Sequence, residues 1–236
     1  MYSTYVLTEK VNLDAYYLGI QRSNTRFEDG VANELRHSHG IRFWRSGGNF
    51  VYNFEAVWQW GKFGDEPIHA WTASADIGYV FRKLKSKPNI NLRHDYISGD
   101  KKKGDGQLGT FNPLYPKGGY FAYNPQLGPA NLIDLHPYAT VRITKRIMIQ
   151  ADVVFNWRFS LQDGIYSGTG SFSMPGANSR KRYIGTIYQT CIEASISKFM
   201  TFNTGVQYFR TGKLINELVS NSKDGVFFNS RLDFKF

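Results

Sequence analysis

The sequence predicts an all-β protein, an antiparallel up-and-down transmembrane β-barrel of ten to eleven strands. Three observations carry that reading. Apolar and polar residues alternate with period two down almost the whole chain. The alternating runs are about 10–14 residues long, against about 5–6 for a soluble strand and about 9–11 for a tilted strand crossing a bilayer. The apolar rows gather Trp, Tyr and Phe towards their ends, as at the two interfaces of a membrane barrel.

Composition agrees. Mean hydropathy is −0.40, and no stretch approaches the ~18 apolar residues of a membrane-spanning helix. Yet aromatic residues make up 16% of the chain, beside 23 glycines. A polar average with many aromatics follows when only every second strand residue meets lipid. The net charge of +10 fits three partner classes: nucleic acid, anionic lipid or glycan, or an anionic solute in passage. Cys191 is the single cysteine, so no internal disulfide forms. Met1–Leu7 has neither a basic n-region nor an apolar h-region. The expectation is therefore that residues 1–236 are one barrel domain, the C-terminal portion of a longer chain.

Taken in order, Tyr2–Leu7 is the tail of a first strand. Val11–Arg22 and Glu34–Arg45 follow. Phe50–Gly61 sets Phe50, Tyr52, Phe54, Ala56, Trp58 and Trp60 against Val51, Asn53, Glu55, Val57 and Gln59. His69–Arg82, Asn89–Ser98 and Asn131–Thr144 come next. Ile147–Ser160 alternates Ile149, Ala151, Val153, Phe155 and Trp157 with Gln150, Asp152, Asn156 and Arg158. Arg180–Ser197, Met200–Arg210 and Gly225–Phe236 complete the set. Short links (Thr8–Lys10, Ser46–Asn49, Lys83–Pro88, Lys145–Arg146, Lys198–Phe199) alternate with long ones (Ser23–Asn33, Lys62–Ile68, Gly99–Ala130, Leu161–Ser179, Thr211–Asp224). Short and long links thus fall on opposite ends of the sheet, as periplasmic turns and outer loops do. An odd count near eleven points to part of a larger barrel, because bacterial single-chain barrels close with an even number.

The inward rows hold the strand charges. Asp14, Glu55, Asp76, Asp95, Asp134, Asp152, Glu193 and Asp233 lie there, with Arg36, Arg42, Arg93, Arg142, Arg158, Arg231 and Lys235. A charge facing lipid at mid-bilayer costs roughly 2–4 kcal/mol, which enforces such segregation and makes the lumen wet. His39 and His94 fall on outward rows and break the pattern.

Other motifs are weighed against plainer readings. Gly104–Gly109 matches G-x-G-x-x-G, but Pro113 follows where a dinucleotide site needs a helix, so a Gly-rich outer loop accounts for it. Asp100 and Asp105 are too few for a Ca²⁺ site with six to eight oxygen ligands. Lys101–Lys103 and Arg180–Arg182 are solvated outer loops, or an electropositive vestibule that meets lipopolysaccharide phosphates. Lys83, Lys85 and Lys87 read as solvated turn residues. Asp134 and His136 share a face but lack an adjacent nucleophile, Cys191 has no indicated partner, and five His show no ligand spacing. No enzyme, cofactor, metal or nucleic-acid partner is expected. The terminal Phe236 on an amphipathic strand resembles the signal read by the outer-membrane assembly machinery.

Ser98-Gly99-Asp100, Leu108–Gly118 (LGTFNPLYPKG) and Gly128–Pro137 (GPANLIDLHP), with Arg36-His37, Gly40-Ile41-Arg42 and Arg182–Gly185, resemble the alginate export family. The resemblance implies an outer-membrane barrel that lets an anionic exopolysaccharide out through a lumen of arginines with interspersed acids. Arg36, Arg42, Arg93, Arg142, Arg158 and Arg231 would be those arginines, with Asp134, Asp152 and Glu193 among the acids. A general porin for small anionic solutes is the alternative, and Gly99–Ala130 is long enough to fold over the pore mouth.

Overall fold

Period-two alternation over runs this long forms strands that pair with their sequence neighbours. The computed structural model describes residues 1–116 and 118–235. In chain order its strands are β1 (Tyr2–Thr8), β2 (Val11–Phe27), β3 (Gly30–Arg45), β4 (Phe50–Phe63), β5 (Glu66–Val80), β6 (Asn89–Ile97), β7 (Leu132–Arg142), β8 (Ile147–Arg158), β9 (Ile165–Tyr166), β10 (Phe172–Met174), β11 (Tyr183–Ser195), β12 (Met200–Thr211) and β13 (Gly225–Phe234). Eleven of them form one antiparallel meander with β1 and β13 at its ends, while β9 and β10 make a small hairpin apart. One short helix, α1 (Lys213–Leu218), lies between β12 and β13. The terminal Phe236 and Lys117 fall outside the described residues.

The two faces separate as lipid exposure demands. Trp58 (51% exposed), Val206, Phe228 and Phe234 (59%) cover the outside, while Asp14, Arg36, Gln59, Asp95, Asp134 and Asp152 are buried on the inside. Aromatics ring the outside at two levels. Phe43, Tyr52 and Phe54 stack near the short turns, and Tyr17, His37 and Trp60 stack near the far end. His39 and His94 do lie on the outer face; His39 pairs with Trp58 across β3 and β4, and His94 sits edge-on to Tyr96 while bonding the Asp134 backbone oxygen.

Two expected outer loops are mostly strand. Residues 23–33 re-enter the β2–β3 ladder after an irregularity at Asn24, whose left-handed φ of 55° lets Thr25–Phe27 pair with Gly30–Ala32. The β4–β5 hairpin likewise runs on to Phe63 opposite Glu66, leaving only Gly64 and Asp65 in the turn. Phe27 and Phe63 meet edge-to-face at 5.3 Å, so these tips are fixed by apolar packing.

That contact belongs to the apolar core, which sits at the long-loop end and inside the sheet. Phe27, Phe63, Ile68, Ile97, Leu108, Phe111, Leu132, Ile165 and Tyr166 are all buried there. The upper edge of β5 extends past β6 and is completed by the loop: Leu108 donates to the Pro67 oxygen and accepts from the His69 N–H. Segment 99–130 therefore lies inside the barrel, reaching from β3 and β4 on one flank to β11 and β12 on the other.

Candidate functional site

The segment that fills the lumen is held by inward side chains of the wall. Arg36 donates to the Thr110 oxygen at 2.9 Å while pairing with Glu34 and Gln59. Gln59 accepts from the Asn112 N–H and donates to its carbonyl, so one amide satisfies one peptide at both ends. Across the barrel Gln207 does the same for Asn124, and Gln189 accepts from the Tyr123 N–H. Arg93 donates to the Tyr120 oxygen and lies 4.0 Å from that ring's centroid. The stretch on which the family resemblance rests most firmly is the stretch so fastened.

A second loop, 159–182, closes over the first. Its Asp163 carboxylate accepts from the Thr110 hydroxyl, the Tyr166 hydroxyl and the N–H groups of Asp100 and Gly164. Burial nevertheless pushes this carboxyl up to about 6, because four donors do not fully replace water around the charged form. Burial also raises Asp100 and Asp29 in the same cap. Asp100 takes up the Gly109 and Lys102 N–H groups, and Asn131 ties the Ser160 and Gly164 backbone to the start of β7.

The six arginines predicted to line the lumen therefore divide. Arg36 and Arg158 are fully buried. Arg158 donates to the carbonyls of Leu161, Asp163, Gly176, Ser179 and Lys181, and so organises the second loop. Arg93 is paired with Asp76 at 2.8 Å, and Arg42 lies near Asp14, bonds Asn53 and covers the Trp44 ring. Arg142 and Arg231 remain open. Arg142 is exposed, and among the described residues its side chain has no hydrogen-bond partner. Arg231 gives only its Nε to Asp233, leaving both terminal nitrogens free among the described residues. Asp134 faces Asp95 across β6 and β7, buried, and Asp152 binds His136 at 2.9 Å. Glu193 is exposed on the same cross-strand row as Asn203 and Arg231.

Sequence reasoning missed Asp163, Asn131 and the glutamines 59, 189 and 207. The inward direction of the three glutamines was readable from the alternation, whereas their backbone partners, distant in sequence, were not.

Charge is distributed unequally between the ends. The short-turn end carries Lys10, Arg45, Arg82, Lys83, Lys85, Lys87, Arg142, Lys145, Arg146, Lys198, Arg231 and Lys235, against Glu9, Glu193 and Asp233. The long-loop end mixes Lys101–Lys103 and Arg180–Arg182 with Glu28, Asp29, Asp65, Glu66, Asp105 and Asp224. Lysines 83, 85 and 87 thus belong to a basic rim. Among the described residues, two cavities lie beside the lumen segment. One, about 360 Å³, is bordered by Tyr16, Glu55, Asp95 and Tyr120; the other, about 310 Å³, by Gln150, Cys191, Asn229 and Arg231.

The family model for alginate export matches residues 1–229. No curated protein matches the chain. A solved structure described as the NanC porin in a rhombohedral crystal form aligns with all of this chain and 98% of its own, at 11% identity and a TM-score of 0.43. With a family match over nearly its whole length, an apolar exterior and a charged lumen, the chain belongs to the alginate export family and is a porin-like channel of the bacterial outer membrane.

Proposed function

We propose that the channel passively exports an anionic exopolysaccharide such as alginate, entering from the short-turn, periplasmic side. The basic rim at that end is the observation that carries this reading. A mouth of one charge sign raises the local concentration of an oppositely charged solute and steers its approach. Arg142 and Arg231, the two exposed arginines of the six, stand just inside it and suit successive uronate carboxylates, which guanidinium binds in bidentate fashion. Glu193 and Asp233 beside them keep each contact weak enough for release, as conduction requires. Asp152 lies higher, bonded to His136 and Gln150, and Asp134 is buried opposite Asp95, its carboxylate without a hydrogen-bond partner among the described residues, while Arg36, Arg42, Arg93 and Arg158 serve mainly to hold structure.

The cationic loops 101–103 and 180–182 are proposed to meet lipopolysaccharide phosphates, and the last strand to be read by the outer-membrane assembly machinery. A porin for small anionic solutes is the second reading, favoured by the way segment 99–130 fills the lumen. Planar-bilayer conductance separates the two. Oligouronates are expected to interrupt the current, and the double variant Arg142→Glu, Arg231→Glu to lose anion preference. Unchanged preference in that variant ends the export reading; monomers acting as well as oligomers favours the second.

A further inference from the structure

The smaller lumen cavity has a construction that electrostatic steering does not require. β8, β11, β12 and β13 align Gln150, Cys191, Gly205 and Asn229 as successive cross-strand neighbours. One step towards the short turns, Glu193, Asn203 and Arg231 form the next row. Gly205 leaves a notch in the wall, and Tyr123 of the lumen segment fills it. A Cβ on Gly205 would stand 2.8 Å from the Tyr123 Cζ and 3.0 Å from the Thr190 oxygen. The Tyr123 backbone is held there by Gln189. The side chain of Asn229 has no hydrogen-bond partner among the described residues, and the free end of the Arg231 fork borders the same space.

We propose that this cavity is a subsite for one uronic-acid residue of the passing polymer. The proposal rests on the export reading and makes it local. Arg231 takes the carboxylate, the amide of Asn229 and the amide oxygen of Gln150, whose nitrogen donates to Asp152, take ring hydroxyls, and the Tyr123 ring accepts an apolar sugar face. Amides suit hydroxyls because each offers donor and acceptor together, whereas the rim's lysines recognise charge alone. The cavity, at about 310 Å³, has room for a single sugar ring. The subsite therefore reads one residue at a time and releases it by exchange with water.

Cys191 lines the cavity and is the only cysteine of residues 1–236, so this chain carries its own probe. The rate at which a sulfonated methanethiosulfonate reagent modifies Cys191 is measured in the folded channel, with sodium glucuronate, glucose or neither present. Glucuronate is expected to slow modification about fivefold, and glucose distinctly less. Arg231→Gln should bring glucuronate down to the level of glucose, and Asn229→Ala should weaken both. A rate that glucuronate leaves unchanged in the native protein overturns the subsite, with no variant needed. Equal protection in Arg231→Gln overturns it too, as does a Cys191 that never reacts, since a subsite must be reachable from water. Conductance on the same samples keeps the two ideas apart: retained oligouronate interruption without Cys191 protection sinks only the subsite, whereas protection in a channel without anion preference sinks only the export reading.

Discussion

Arg158 is a charge without a carboxylate. Its nitrogens end on five backbone carbonyls, and the oxygens it collects are those of a loop with little regular structure. A buried carbonyl left without its donor costs about 1–3 kcal/mol, so Arg158→Met should loosen loop 159–182 while leaving the barrel wall formed. Limited proteolysis would show new cleavage there, and the gel mobility of the folded barrel would be unchanged. Asp163 carries the complementary prediction. Its proton affinity is higher folded than unfolded, so the folded cap binds more protons between about pH 4 and 6. Stability from this group is present below that window and is lost as pH rises through about 6, by at most about 3 kcal/mol. The cap should therefore open more often at pH 7.5 than at pH 5, read as current flicker, and Asp163→Asn should remove most of the difference.

At the scale of elements, the hairpins depend on a few backbone positions. Gly61 on β4 has φ of 142°, and a Cβ there would stand 2.0 Å from the Leu35 oxygen on β3. Gly61→Val should separate the upper β3–β4 ladder and delay or prevent assembly, visible as loss of the compact, heat-modifiable form on gels. Neither this position nor the cap was legible beforehand, although the wall was. Strand existence follows from period-two alternation, which sequence displays directly: Phe50–Trp60 and Ile147–Trp157 needed no other information. The cap follows from contacts between residues distant in sequence, such as Arg36 with Thr110 or Glu28 with Gly176. Nothing local in the sequence marks such pairs. The same holds for Arg36 and Arg158, whose inward direction was readable while their burial was not, because burial depends on where the loops go. Strand ends were misplaced at residues 23–33 for a related reason: turn-like Ser23-Asn24 sits inside a ladder that an irregular residue repairs.

The molecule as a whole is polarised along its axis. Nearly all of its excess positive charge is on the short-turn rim, while the wall and far end are close to balanced. Passage should therefore be sided. Oligouronate added on the rim side of a bilayer is expected to interrupt current at several-fold lower concentration than from the other side, with the advantage fading as ionic strength shortens the Debye length below about 10 Å. Equal potency from both sides, at low salt and with insertion direction verified, would count against entry through the rim.

The two tall hairpins, β2–β3 and β4–β5, have one more implication. Each ends in a two-residue bend, Glu28-Asp29 and Gly64-Asp65, at the far limit of a continuous ladder. They are props that hold a roof in place, and the two bends tolerate intrusion unequally. Glu28 is tied inward to Gly176, whereas Asp65 is exposed and free of hydrogen-bond partners among the described residues. A short epitope spliced in at Asp65 should display on intact cells without disturbing the pore, and one at Glu28 should lift the roof.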